Sequence, residues 1–331
     1  MATSTPTYED QVWGSDPWCR FDYWQHPTRD SGGNPLLLVR HPGGGTVGSH
    51  QWYRDSANTD WYYLLRWLNG DYTNSPAQHW DVCSFTSAQR RHETTIISPS
   101  RSVFYMEAVR NCQRAIGAIK ARYGTYGFDP SRVLGMGESY GATTISLSQL
   151  APALPGTGNG SVWLESKLNP GTFDSVLRGV IHISGPVDFQ NYSGTDYFHY
   201  SRIGGFFGTR FDDSTEFDNL DDSIKKAASV RQYFTDRNLA NYVGMYVSYI
   251  QAGNGRYPLG DPGIAGSNLH DSKQYTDLTS AMSSAGVPFS GQIVNSSDDI
   301  TTTNWTGSDP NTTTLRIFRH FATWMADQID A

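Results

Sequence analysis

Apolar residues follow two rhythms along this chain. Some form short unbroken runs, such as Leu36-Leu37-Leu38-Val39, Val133-Leu134-Gly135-Met136 and Val180-Ile181-His182-Ile183. Runs of that length that do not alternate are the mark of strands covered on both faces. Elsewhere the apolar positions recur at helical spacing, most clearly at Val103, Met106, Val109, Ala115, Ile116 and Ile119. The pattern predicts strands over 20–25, 35–41, 80–86, 132–138, 179–185, 242–251 and 290–294. It predicts helices over 60–69, 101–123, 140–152, 223–236, 272–285 and 312–328. Strands alternating with helices imply an α/β fold with a mostly parallel central sheet flanked by helices. At 331 residues the chain is long enough for one such domain with insertions. The alternation breaks over 189–222, a stretch rich in Gly, Asp, Tyr and Phe that includes Gly204-Gly205-Phe206-Phe207-Gly208. That stretch reads either as a cap over a site or as a plain surface excursion.

Two glycine-containing segments stand at strand ends. Gly137-Glu138-Ser139-Tyr140-Gly141 follows the strand pattern at 132–138 and opens a helical one. A serine between glycines at a strand-to-helix turn is how a chain lifts a hydroxyl above a sheet as a nucleophile. About a hundred residues earlier, His41-Pro42-Gly43-Gly44-Gly45 follows the run ending in Arg40. Glycines there let backbone N–H groups turn toward an incoming carbonyl and stabilise the oxyanion that forms on attack. By itself the second segment reads as a flexible loop; the pairing with Ser139 favours an oxyanion loop.

On these residues the chain resembles the α/β-hydrolase superfamily, and within it the carboxylesterase and hormone-sensitive-lipase-like esterases. Three more stretches carry the likeness: Phe21-Asp22-Tyr23-Trp24-Gln25-His26-Pro27, Tyr126-Gly127-Phe128-Asp129-Pro130-Ser131-Arg132 and Gly179-Val180-Ile181-His182-Ile183-Ser184-Gly185. The resemblance implies Ser139 as nucleophile, with Glu138 bracing the oxyanion loop. It also implies an oxyanion hole from the Tyr140 N–H together with those of the Gly43–Gly45 segment. Tyr140 replaces the alanine usual in these esterases, so its side chain is expected to narrow the pocket or shift the turn.

A serine hydroxyl needs a base, and the base needs an orienting carboxylate. In this superfamily the chain order is serine, acid, histidine. Asp261 and Asp271 qualify as the acid by following the strand at 242–251, and Asp188 is a third option; each also reads as a turn residue capping its own backbone. The histidine is not where the resemblance places it, and His270 reads equally as the base or as an exposed loop or helix-start residue. The resemblance expects it after the last strand, where Asn295-Ser296-Ser297-Asp298-Asp299-Ile300-Thr301 contains none. His270, in the loop after 242–251, is the best remaining base, because roles rather than sequence positions define a triad. His199 in the cap and His320 in the terminal helix follow, while His182 lies inside a core strand.

Composition narrows the partners. Thirty-two acidic against 25 basic residues give a formal charge of −7, which argues against nucleic acid or an anionic membrane as electrostatic partners. The expected partner is a small-molecule or polymeric ester. No run is long enough to span a membrane, and Met1–Pro6 lacks a leader pattern, which leaves a cytoplasmic chain and a trimmed secreted one both open. Cys19, Cys83 and Cys112 are an odd set that reads as core residues with at most one bridge. Nothing calls for a metal or organic cofactor. Two functions remain: a serine ester hydrolase, or a protein that keeps the fold without efficient catalysis and serves in binding or structure.

Overall fold

The strand-forming runs assemble into one eight-stranded sheet, ordered β1-β2-β4-β3-β5-β6-β7-β8. The strands are β1 (Tyr8–Val12), β2 (Arg20–Trp24), β3 (Asn34–Arg40), β4 (Asp81–Phe85), β5 (Phe128–Glu138), β6 (Gly179–Ile183), β7 (Gly244–Ile250) and β8 (Phe289–Val294). The computed structural model describes residues 5–14, 19–41, 50–54, 64–65, 67–68, 77–86, 104–151, 174–190, 222–237, 239, 242–250, 272–294 and 315–330. Strands β3 to β8 run parallel, whereas β2 is antiparallel to both β1 and β4. The helices are α1 (Phe104–Lys120), α2 (Tyr123–Tyr126), α3 (Tyr140–Leu150), α4 (Asp222–Ala227), α5 (Val230–Thr235), α6 (Ser272–Ala285) and α7 (Leu315–Asp330), with a short 3-10 turn at His50–Arg54.

The expected strands all form, and α6 occupies the expected 272–285. Three details differ. β1 has no counterpart in the apolar pattern because Tyr-Glu-Asp-Gln-Val is a half-exposed edge strand. β5 starts earlier than its apolar run, since Phe128 registers with Asn34 at the head of β3. The helix expected over 223–236 is broken at Ser229, whose φ of −94° and ψ of 110° are extended. The Ser229 hydroxyl donates to the Lys225 carbonyl and accepts the Phe189 N–H, so a local side-chain bond competes with the helix.

Alternate residues of each central strand feed opposite sides of the sheet. Leu134, Met136, Ile181 and Ile183 pack with Trp67, Trp80 and Trp324 on one side. On the other side Val133 and Val180 pack with Ile116, Ile119 and Ile145. Cys19, Cys83 and Cys112 are buried free thiols, so the optional bridge is not formed. Burial pushes the Cys112 thiol up to about 11, which keeps it protonated and unreactive. Residues 191–221 of the expected cap and 60–63, 66 and 69 of the expected helix over 60–69 lie outside the described residues. Among the described residues no helix is long and apolar enough to cross a membrane.

Candidate active site

Parallel sheets of this kind gather their functional loops at the carboxyl ends of the strands. Ser139 stands there, between the last residue of β5 and the first of α3. Its backbone has φ 55° and ψ −127°, a conformation that an L residue rarely adopts. The chain reverses in that single residue. The Ser139 carbonyl accepts the N–H groups of Ala142 and Thr143 at 3.0 and 3.2 Å, starting the helix, while its own N–H donates to the Ile183 carbonyl at 2.8 Å. The residue is half-buried.

The glycines flanking Ser139 have distinct steric reasons. A Cβ on Gly137 would lie 2.4 Å from the Gly141 carbonyl, so the strand and the first helical turn would collide. A Cβ on Gly141 would lie 2.4 Å from the Arg40 carbonyl oxygen and 2.6 Å from that of His41. Both clashes are with backbone, which cannot yield locally. The second has a further consequence: the end of β3, from which the Gly43–Gly45 segment departs, is in backbone contact with the first turn of α3. Gly43, Gly44 and Gly45 themselves lie outside the described residues.

The Tyr140 side chain is buried. The ring is buried among Val109, Leu147 and Val187, with the Arg40 guanidinium 6.0 Å from its centroid. The loops that would face it, 42–49 and 251–271, lie outside the described residues. Its N–H is the first of α3, at the end of the helix where the macrodipole is positive. Glu138 is buried, as a residue braced inside the fold must be.

The candidate acids and bases divide clearly. Asp188, buried just past β6, accepts the Gln190 N–H at 2.9 Å and the Arg231 guanidinium at 2.5 Å. Those bonds tie the turn after β6 to α5. His270, Asp261 and Asp271 fall between β7 and α6, outside the described residues, as do His92 and His199. His320 lies in α7, its side chain outside the described set. His26 and His79 stack at 4.7 Å at the opposite, amino end of the sheet. His182 is wholly buried, and burial lowers its pKa to about 4. The sequence motif singled out the turn at Ser139; it could not have indicated the surroundings of His182, which come from three separate elements.

One cluster near the carboxyl edge carries no sequence signature. His50 donates from Nε2 to the Asp10 carboxylate at 2.6 Å, and its main-chain N–H reaches the Thr86 hydroxyl at 2.5 Å. Asp10, Asp22 and His50 bring three donor atoms of the kind that hold a metal within 4.8 Å of one another. Their donor capacity is already taken. Arg54 grips both oxygens of Asp22, with Nε at 2.5 Å, and Gln51 donates to Asp10 at 3.0 Å. Burial acts to raise the Asp10 carboxyl, but hydrogen bonds from His50 and Gln51 and the Arg54 charge outweigh it, and its pKa lies below the usual value. A guanidinium fills the place a cation would need, so the cluster is an ion-pair network that fastens the 3-10 turn to β1 and β2.

The strand order, parallel core and strand-turn-helix at Ser139 are those of the α/β-hydrolase fold, and solved structures agree. A truncated carbohydrate esterase from gut microbiota matches with a TM-score of 0.65 at 13% identity, over 100% of this chain and 98% of that one. Esterase B from Lactobacillus rhamnosis matches at 0.61 and 12% identity, over 98% and 88%. A butyrate-bound thermophilic esterase from the planctomycete Thermogutta terrifontis matches at 0.58 and 12%, over 98% and 93%. No protein-family model and no curated protein matches the sequence, so the likeness lies in the fold.

Proposed function

We propose that this protein is a serine hydrolase that cleaves carboxylic esters through an acyl-enzyme on Ser139. The observation that carries the reading is the Ser139 backbone: a φ of 55° between two glycines that tolerate no Cβ. Strain at a side-chain-bearing residue persists only where surrounding structure enforces it, and such sites concentrate where chemistry is done. The esterase names of the structural neighbours support the same reaction class.

In this reading the Ser139 hydroxyl attacks the ester carbonyl. His270 takes the proton as general base and returns it to the departing alkoxide, and Asp261 or Asp271 holds the ring in its working tautomer. The oxygen that gains charge is met by the Tyr140 N–H and by those of Gly43, Gly44 and Gly45. Water then repeats the sequence on the acyl-enzyme. The substrate is a small-molecule or polymeric ester. Asp188 is a poor orienting acid, because its two oxygens are engaged by Gln190 and Arg231.

A second reading has one observation behind it. The segment between β8 and α7 holds no histidine, although this fold commonly supplies its base there. A chain that had lost the base would keep the fold and serve in binding. Fluorophosphonate labelling of the wild type beside Ser139→Ala and His270→Ala separates the two, with hydrolysis of p-nitrophenyl acetate and butyrate as the turnover assay. Labelling lost in both variants is the expected result. Labelling lost only in Ser139→Ala moves the base to His199 or His320. A folded wild type that neither labels nor turns over overturns the hydrolase reading.

A further inference from the structure

His182 is a titratable group that ester cleavage as described does not use. It lies wholly buried in β6, where both ring nitrogens must find partners within the protein. Nε2 faces the Gly185 carbonyl at 3.1 Å. A carbonyl only accepts, so Nε2 carries the hydrogen. Nδ1 is then the acceptor and takes the Ser146 hydroxyl at 2.9 Å. The Tyr249 hydroxyl, from β7, donates to the same Gly185 carbonyl and lies 3.4 Å from Nε2.

These partners belong to two pieces that matter at Ser139. Ser146 is on α3, the helix that Ser139 opens, and Gly185 is in the turn leaving β6. Two further bonds run beside the ring between the same pieces. The Ser139 N–H donates to the Ile183 carbonyl at 2.8 Å, and the Thr143 hydroxyl donates to the Pro186 carbonyl at 2.7 Å. The joint is tight: a Cβ on Gly185 would lie 2.7 Å from the Ala142 Cβ and 2.8 Å from the His182 ring. Ser184, within the turn, itself holds φ 47°, with its N–H on the Ser248 carbonyl at 2.8 Å.

We propose that His182 is a positioning residue for Ser139. Its neutral, Nε2-protonated ring bolts α3 to the turn 184–187 and so keeps Ser139 at the backbone angle that presents its hydroxyl. It works through the helix and the turn and touches no substrate. The proposal rests on the reading of Ser139 as the nucleophile.

Four variants test it: His182→Phe, which has a ring without nitrogens; His182→Gln, whose amide can still donate to Gly185; Ser146→Ala; and Val180→Ala, a core truncation on the same side of β6. The readouts are kcat and KM on p-nitrophenyl acetate, thermal stability, and hydrogen exchange at the Ser139 amide. His182→Phe and Ser146→Ala are expected to lower kcat about tenfold or more with KM nearly unchanged, since small misplacements of a reacting group have effects of that size. His182→Gln should recover most of the loss. Val180→Ala should lose stability without losing kcat. Ser139 amide exchange should quicken in His182→Phe and Ser146→Ala alone. Wild-type kcat in folded Ser146→Ala, or a kcat loss that tracks stability through all four variants, overturns the proposal. Should Ser139→Ala keep full activity, the nucleophile reading fails by itself, and the exchange data still judge the bolt: faster exchange in Ser146→Ala upholds it and unchanged exchange overturns it.

Discussion

The two ends of the sheet are built on opposite terms. At the amino end, the Asp81 carboxylate is fully buried at the head of β4 and is saturated with donors. It accepts the Tyr23 hydroxyl at 2.5 Å, the His26 N–H at 2.8 Å, the Arg29 guanidinium at 2.7 Å and the Asn34 amide at 3.1 Å. Left-handed backbone at this end falls on glycines, Gly33 before β3 and Gly127 before β5, which bear it without strain. At the carboxyl end it falls on Ser139 and Ser184, which have side chains. The other two such residues are peripheral: Asp10, at the irregularity in β1, and Arg237, just past α5. One end gathers donors on a buried carboxylate to hold strands together. The other carries left-handed backbone on two serines, and on the proposed reading that contrast separates the end that holds strands from the end that does chemistry.

The largest expected effect lies at the carboxyl end. On the proposed reading, Ser139→Ala should lower turnover about 10⁴-fold while leaving the urea midpoint nearly unchanged, because alanine keeps the Cβ and the backbone bonds of the turn. Next comes the amino end, with the reverse signature. Asp81→Ala leaves the partly exposed Arg29 and three buried donors without their shared acceptor and should destabilise the fold by about 3–5 kcal/mol. Labelling per folded molecule should stay at the wild-type rate. An Asp81→Ala protein of normal stability, or one whose folded fraction no longer labels, would break the division between the two ends.

What could be read from the chain follows the same line. The apolar runs at 36–39, 133–136 and 180–183 revealed the core strands because a strand buried on both faces has only one kind of sequence. Ser139 was legible because its glycines are forced by contacts close along the chain or one strand away. Edge strand β1 was hidden, since Tyr8–Val12 buries too little to need an apolar pattern. The bonding of Asp81, Asp188 and His182 was also hidden: each draws partners from elements distant in sequence, and no spacing rule encodes such pairs. His50 with Asp10 and Asp22 is the same case at the carboxyl edge. The base and the orienting acid rest on His270, Asp261 and Asp271, which the resemblance and the strand order single out and which lie outside the described residues.

A third effect sets the two ends apart by pH. Burial lowers the His182 pKa from 6.5 to about 4. A buried neutral histidine that would ionise in the unfolded chain favours folding above pH 6.5 in full. That contribution is lost progressively as pH falls from 6.5 toward about 4, because there the unfolded state binds the proton first. Its full extent is about 3 kcal/mol, taking about 1.4 kcal/mol per unit. Among the described residues, the Ser146 hydroxyl and the titratable Tyr249 face the ring, and neither offers a charge that would hold the imidazolium. Urea midpoints of wild type and His182→Gln should therefore converge as pH is lowered from 7 to 4. Parallel curves would mean that acid acts elsewhere.

The smallest effect tests the contrast most directly, because it asks whether strain at Ser139 exists as free energy. A residue held in a sparsely populated region costs about 1–3 kcal/mol. Glycine escapes that cost but loses about 0.5–1 kcal/mol more chain entropy on folding than alanine. Ser139→Gly and Ser139→Ala both lack the hydroxyl, so their difference isolates the Cβ. The glycine variant should be more stable by about 1 kcal/mol. Gly33→Ala, at the amino end, should go the other way. Its φ of 91° suits glycine, and a Cβ there would lie 2.8 Å from the Asp129 backbone nitrogen, so a loss above about 1 kcal/mol is expected. If Ser139→Ala proved as stable as Ser139→Gly, the turn would carry no strain. The geometry of the turn would then rest on the Ser139 N–H bond to the Ile183 carbonyl and on the close packing of Gly137 and Gly141.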